Sequence, residues 1–339
     1  MAKSVKLADI AKEMGVSVVT VSKALSGQKG VSESMRERII ARADELGYVQ
    51  PSAAKKQEKN VSYNLGVLIG EGYLGDYSFY LQMYQQVARS AVERGCFSIL
   101  EVVSEQMEGG MILPKIITEN KADGVVVIGS LSEKYLSFLL KEATVPVIFM
   151  DFSDKKRATD CVISDSFFGG YHMTNYLIDM GHTRIAYVGT VGVTGSITDR
   201  YLGYMKALLE RGIPFREDWV ISDRKSASGT IGGDDNLKLP KDMPTAFFCN
   251  CDLTAGILIN KLEKEGFRVP EDISVAGYDD YVYPGLCDTD ITTYAVDISE
   301  MAAQTVNVLI KKISGASYRK GIHVVEGSLV VKSSVKKRR

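Results

Sequence analysis

No stretch of these 339 residues approaches the ~18 consecutive apolar positions that a membrane span needs, and runs such as Val125-Val126-Val127-Ile128 end after a few residues. A transmembrane reading is excluded. The first fifteen residues scatter Lys3, Lys6, Asp9, Lys12 and Glu13 among apolar ones, unlike a secretory leader, so the expected location is cytoplasmic. Cysteine is scarce: Cys96, Cys161, Cys249, Cys251 and Cys287 are odd in number and widely spaced, which excludes a disulfide framework. Cys249-x-Cys251 lacks a second pair or a nearby histidine, so no metal site is expected. His172, His182 and His323 are scattered, and none stands beside a Ser or Cys elbow, so a catalytic triad has no support. No cofactor motif is present either. Gly189-Thr190-Val191-Gly192-Val193-Thr194-Gly195 lacks the Gly-Lys-Ser/Thr ending of a phosphate loop and reads as a strand-to-helix connection.

What remains is an ordinary globular composition, 45% hydrophobic and 24% charged. At about 150 residues per domain the length suggests two or three folded units. Net charge is −1, but it is unevenly spread: residues 1–60 hold 11 Lys/Arg against 7 Asp/Glu, and the rest hold 30 against 35. A small basic head precedes a mildly acidic body, which suits contact with a polyanion through the head.

Leu7, Ile10, Ala11 and Met14 follow helical spacing, and Gly15 ends that helix. Ser17 caps a second helix running to about Ser26, with Gly27 as its stop. Two helices joined by about three residues form a helix-turn-helix. Val21, Ala24 and Leu25 face one side of the second helix, Val19 and Lys23 the other, with Val18 and Ser22 on the flanks. A third helix starts at Ser32, carries Met35, Ile39, Ile40, Ala43 and Leu46 as its apolar positions, and stops at Gly47. An outward face with Val19 beside Lys23 suits a major groove, where a methyl group meets thymine and lysine reaches guanine. Helical spacing alone leaves an ordinary solvated bundle equally open.

The segments Val5-Lys6-Leu7-Ala8-Asp9-Ile10-Ala11, Gly15-Val16-Ser17-Val18-Val19-Thr20-Val21-Ser22-Lys23-Ala24-Leu25, Val31-Ser32-Glu33 and Glu45-Leu46-Gly47-Tyr48 resemble the headpiece of the LacI/GalR family of bacterial repressors. The resemblance implies that the second helix lies in the major groove of double-stranded operator DNA, with Val18, Val19 and Lys23 at base-reading positions and Ser22 beside them. Ser17 and Thr20 are candidates for phosphate contact. Lys23 stands where the family commonly has arginine, which removes a bidentate fork and softens discrimination at that base.

Residues 50–64 turn polar and form a linker. In the resembled family this segment becomes a hinge helix that pairs with its twin in a homodimer and wedges a leucine into the minor groove. Gln57 occupies that leucine position here. Either bending is weaker, or Ala53 and Ala54 pack while Lys55 and Lys56 contact phosphate.

From residue 65 onward, strand patterns at 65–69, 97–102, 124–128, 146–150, 184–188, 219–222, 246–249 and 273–276 alternate with helical ones at 80–94, 167–180, 200–211, 254–265 and 298–312. Repeated βα units argue a parallel sheet covered by helices, and roughly 270 residues suit two similar lobes. Ligands of such sheets bind beyond the carboxyl ends of strands, where carboxylates, an arginine and aromatics converge in this sequence. Asp279-Asp280 diverge on a turn and do not form a catalytic pair.

This half also resembles the LacI/GalR core, itself similar to periplasmic sugar-binding proteins. The resemblance rests on Leu65-Gly66-Val67, Gly181-His182-Thr183-Arg184-Ile185-Ala186, Asp199-Arg200-Tyr201-Leu202-Gly203-Tyr204, Val269-Pro270-Glu271-Asp272-Ile273-Ser274-Val275 and Gly277-Tyr278-Asp279-Asp280. It implies effector contacts at Asp151, Ser196, Arg200 and Asp279, with Phe79, Tyr80 and Phe152 as pocket aromatics. Cys251 stands where the family often has asparagine, so a ligand unlike common hexose effectors is plausible.

The expected fold class is therefore an all-α helix-turn-helix headpiece (1–49) and a linker (50–64), followed by an α/β periplasmic-binding-protein-like core (65–332) of two doubly wound parallel-sheet lobes. One lobe takes residues 65–164 and 297–324, the other 165–296 and 325–332, with a basic tail at 333–339 expected to be frayed and solvated. The expected function is a homodimeric transcriptional repressor with a carbohydrate effector. A secreted sugar-binding protein would need an export signal and no helix-turn-helix. An α/β enzyme would need a nucleophile or metal set beside Asp151 or Asp279.

Overall fold

The computed structural model describes residues 6–25, 30–46, 48, 62–74, 79–156, 159–224, 231–233 and 237–338. Its contacts divide the chain into two units, Met1–Ser62 and Tyr63–Arg339.

In the first unit α1 (Leu7–Met14), α2 (Val18–Leu25) and α3 (Glu33–Glu45) enclose a small core of Ile10, Ala11, Val21, Ala24, Ile39 and Ala43. Gly15 closes α1 in the left-handed region, φ 64°. Ser17 accepts a hydrogen bond from the Thr20 amide at 3.1 Å, capping α2 as its position predicts. At the other end, the Arg36 guanidinium donates to the Ala24 carbonyl at 3.0 Å, satisfying one of the carbonyls that a helix terminus leaves open. Ile40 departs from the expected apolar stripe and is 41% exposed. Met35, Ile39 and Ala43 repeat every four residues, and Ile40 lies about 100° off that line. Ser26, Gly27 and Gly47, the expected helix boundaries, lie outside the described residues.

The second unit holds two parallel sheets. The larger comprises β1 (Asn64–Gly70), β2 (Phe97–Val103), β3 (Gly124–Ile128), β4 (Val147–Met150), β5 (Cys161–Ser164) and β11 (Ile322–Val325), in the order β11-β5-β4-β3-β1-β2. The smaller comprises β6 (Ile185–Val188), β7 (Val220–Ile221), β8 (Ala246–Cys249) and β9 (Ser274–Ala276), in the order β7-β6-β8-β9. A separate antiparallel pair joins β10 (Thr293–Ala295) to β12 (Ser328–Val330).

Alternation along each strand decides which helix it meets. Leu65, Val67 and Ile69 pack toward α4 (Phe79–Glu93) and α11 (Ile298–Ser314), whereas Leu68 packs toward α6 (Lys115–Thr118) and α7 (Glu133–Glu142), with the short α5 (Glu105–Gly110) preceding them. In the smaller sheet, Tyr187 and Phe248 face α8 (Ser166–Asp179) and α9 (Gly195–Glu210), while Ala186 and Phe247 face α10 (Asp252–Lys264). Strands buried on both faces read as continuous apolar runs, which is why they are visible in the sequence. Between the sheets the chain passes after β5, after β10 and after β11.

Three expectations need correction. The strand expected at 219–222 is shorter, because Trp219 ends a 3₁₀ turn (Glu217–Trp219) and its indole donates to the Asp242 carbonyl at 3.0 Å. The helix expected from residue 200 begins a turn and a half earlier, at Gly195, because Thr194 caps it by accepting from the Ile197 amide at 3.1 Å. Arg200 therefore rides inside a helix, not at its start.

The third correction concerns the C-terminal tail, which is docked. Ser334 is fully buried. Its carbonyl accepts from the Val275 amide at 2.9 Å, and its hydroxyl donates to the Val275 carbonyl at 2.6 Å. Further along, the Arg338 amide reaches the Met180 carbonyl at 2.8 Å, and His182 contacts the Lys336 carbonyl at 3.1 Å. The tail's Lys and Arg side chains obscure this in the sequence, because its attachment runs through the backbone and one small serine.

Candidate functional site

On the first unit the face of α2 turned away from the core carries Val19 at 63% exposure and Val18 at 45%. Two neighbouring valines left in water cost solvation free energy that burial would recover, so the surface is one expected to be covered. Ser17 and Ser22 are exposed beside them, while Thr20 and Lys23 are half-buried. The Ser17 and Thr20 hydroxyls lie 2.8 Å apart, so each already has a partner within the cap. Ala53, Ala54, Lys55, Lys56 and Gln57 lie outside the described residues.

On the second unit the expected effector residues gather where strands of both sheets end. Arg200, only 5% exposed, is held on three sides. One guanidinium nitrogen donates to the Asn250 carbonyl at 2.5 Å, another lies 3.2 Å from Asp279 Oδ1, and the planar group covers the Tyr278 ring at 3.6 Å. The helix bearing Arg200 can come this close because Gly170 on α8 has no side chain; a Cβ there would sit 2.3 Å from the Arg200 carbonyl oxygen.

Asp151 and Asp279 both have positive φ, 72° and 101°. That region is costly for residues other than glycine and is found where surrounding structure overrides local preference, often at binding sites. Burial pushes the Asp151 carboxyl up to about 7 against the pull of Arg200, with Asp279 adding to the rise and the Tyr80 hydroxyl opposing it. Burial likewise lifts Asp279 to about 6, with Arg200 opposing. Burial works against the Arg200 charge, yet Asp279, Tyr278 and Asp151 together hold its pKa above the ordinary arginine value.

A raised carboxyl pKa means that the folded chain holds a proton which the unfolded chain releases. The stabilisation is complete below about pH 4 and is lost as pH rises through about 6 to 7. The parent chain is therefore expected to lose stability relative to Asp151→Asn between about pH 5 and pH 8, by on the order of 2 kcal/mol. Urea denaturation at each pH measures this, and a gap that stays constant would show that Asp151 ionises normally.

The aromatics divide into two groups. Phe79 stands edge-on to Tyr281 at 6.1 Å, and Tyr80 packs on Tyr73 at 4.4 Å, so these rings line the region between the sheets. Phe152 does not join them: it stacks at 4.5 Å on the fully buried Phe149, in the layer under α7. Ser196 is half-buried, its hydroxyl 3.1 Å from that of Thr194. Cys251 is 7% exposed against Thr254, and burial raises its thiol to about 12, so it remains neutral.

One residue that the sequence reading missed organises the site. Asp223, 1% exposed, accepts from the Thr190 amide at 2.9 Å, Asn250 Nδ2 at 2.7 Å and the Thr254 hydroxyl at 2.8 Å, tying the ends of β6, β7 and β8 together. Its signal was its place just past a strand's carboxyl end, as for Asp151. Among the described residues no group of three or more His, Cys, Asp or Glu is placed to hold a metal ion, and no helix is long and apolar enough to cross a membrane.

Residues 6–51 match the model of bacterial regulatory proteins of the lacI family. In this segment the chain resembles the LacI/GalR family. Residues 174–335 match the periplasmic binding protein-like domain. Similar relatives include the HTH-type transcriptional repressor PurR of Vibrio campbellii, 28% identical over 330 residues covering 97% of this chain and 98% of the relative. The PurR of Vibrio vulnificus is similar to the same extent, 28% identical with the same coverage. Among solved structures, the lac repressor dimer bound to operator and the anti-inducer ONPF shares the fold with a TM-score of 0.65 at 23% identity, covering 98% of this chain and all of the other. The transcriptional regulator CelR in complex with cellobiose gives 0.67 at 24% identity, covering 97% and 99%. The relatives that match over nearly the whole chain are transcriptional repressors.

Proposed function

We propose that the chain works as a homodimer whose operator affinity is set by a small ligand, a sugar or sugar derivative, bound between the two sheets of its second unit. The observation that carries this reading is Arg200, buried between Asp279 and the Tyr278 ring with its Nε left without a hydrogen-bond partner among the described residues. A buried charge with an unused donor is costly unless a ligand completes it. Val18, Val19, Ser22 and Lys23 read bases, Ser17 and Thr20 meet phosphate, and Ala53, Ala54, Lys55, Lys56 and Gln57 belong to the segment joining head to core. A ligand acts only through unequal affinity for two arrangements of the lobes, since equal affinity shifts no equilibrium.

The test is competition between genomic fragments and random duplex, repeated with candidate sugars. Preference for a fragment that a sugar alters supports the reading; indifference to both sinks it. Lys23→Ala is expected to weaken binding to the preferred fragment by about 1–3 kcal/mol while barely changing random-duplex binding. An equal loss on both duplexes would assign Lys23 to phosphate contact instead.

A further inference from the structure

Among the described residues the charges around the cleft do not balance. Three pairs account for the described cations: Arg200 with Asp279 at 3.2 Å, Arg224 with Asp223 at 3.6 Å, and Lys332 with Asp280 at 2.7 Å. Asp151 and Asp252 are then left with no Lys or Arg at ion-pair distance among the described residues. Asp252 is 3% exposed and its Oδ1 has no hydrogen-bond partner among those residues. Asp279 Oδ1 is in the same position, because its approach to Arg200 misses hydrogen-bond geometry. Asp279, nine-tenths buried, also lines a cavity of about 260 Å³. Its other polar walls are Gln82, Gln86, Asp280, Asp297 and Ser299, with no Lys or Arg among them.

A neutral hexose would offer hydroxyl donors to these carboxylates but leave their excess charge in place. A protonated amine supplies both donors and charge, and three N–H groups suit acceptor-only partners. We infer that the ligand of the cleft carries a positively charged amine, seated against Asp151 and Asp279 Oδ1, the oxygen that lacks a hydrogen bond, with Arg200 left to meet an oxygen of the same molecule. The Tyr80 ring, whose hydroxyl bonds to Asp151, and the Tyr73 ring packed on it also favour a cation. The inference rests on the cleft being the effector site. It also gives the left-handed Asp151 a reason to have no Lys or Arg at ion-pair distance among the described residues.

The test is a thermal-shift comparison of the full chain with matched pairs in which an amine replaces a hydroxyl: glucosamine against glucose, galactosamine against galactose, and putrescine against 1,4-butanediol. At least one amine is expected to raise the melting temperature by several degrees at millimolar concentration while its neutral counterpart does not. In Asp151→Asn, which removes a buried charge and so should fold, that discrimination should vanish. A neutral member that binds as well as its amine overturns the charge assignment but leaves the cleft reading standing. Absence of a shift with all three amines overturns the assignment too, and the operator-competition experiment then judges the cleft reading separately.

Discussion

Replacing Arg200 by alanine is expected to destabilise the second unit by about 3–5 kcal/mol and to erase the response to small ligands, while operator binding in the absence of ligand persists. The stability loss follows from what remains behind. Asp279 and Asp151 share a buried region in which, among the described residues, Arg200 is the guanidinium at ion-pair distance from Asp279, and the Asn250 carbonyl loses its donor. Their pKa values would climb further, so the variant should be relatively more stable in acid than at neutral pH. Arg200→Lys keeps the charge but cannot reach Asn250 and Asp279 with one flat fork while lying on Tyr278. It should recover part of the stability and little of the ligand response. Operator binding should survive, because the exposed Val18 and Val19 belong to the separate first unit. Urea denaturation and operator competition with and without ligand check both halves. A variant that keeps its ligand response would remove Arg200 from the site.

Ending the chain after Lys332 is expected to lower the melting temperature by about 10 °C, from an accumulated loss of several kcal/mol. The Val275 and Thr292 amides would lose their partners on Ser334, at 2.9 and 2.8 Å, and the Ser274 hydroxyl would lose the Lys336 amide at 3.0 Å. His182 would lose its Lys336 contact. Each buried polar group left unpaired costs about 1–3 kcal/mol. The effect should be insensitive to salt, because backbone bonds rather than the Lys and Arg charges make the attachment. Calorimetry of the truncated chain at low and high salt measures it, and an unchanged melting temperature would show that the tail contributes nothing to the fold.

Where periodicity is strong, the elements are legible in the sequence. The α2 face with Val19 outward and Val21 inward follows from 100° per residue, and doubly buried strands such as β3 announce themselves as unbroken apolar runs. Four strands were not visible, although β6, β8 and β9 of like length were. Cys161–Ser164, Thr293–Ala295, Ile322–Val325 and Ser328–Val330 are three or four residues long, and only their neighbours make them strands. Ile322–Val325 is an edge strand whose pairing with Cys161–Ser164 spans some 160 positions.

Local sequence, then, determined the helix-turn-helix, its capping serine, the βα rhythm and which residue types stand at strand ends, because caps, turns and periodicity act over a few neighbouring positions. Tertiary structure alone decided that Asp223 ties three strands together, that Phe152 packs on Phe149, that the basic tail docks beside Val275, and that Asp151 has no Lys or Arg at ion-pair distance among the described residues. Those outcomes depend on contacts between residues far apart in the chain, where burial and the pairing of charges, not local preference, set the energy.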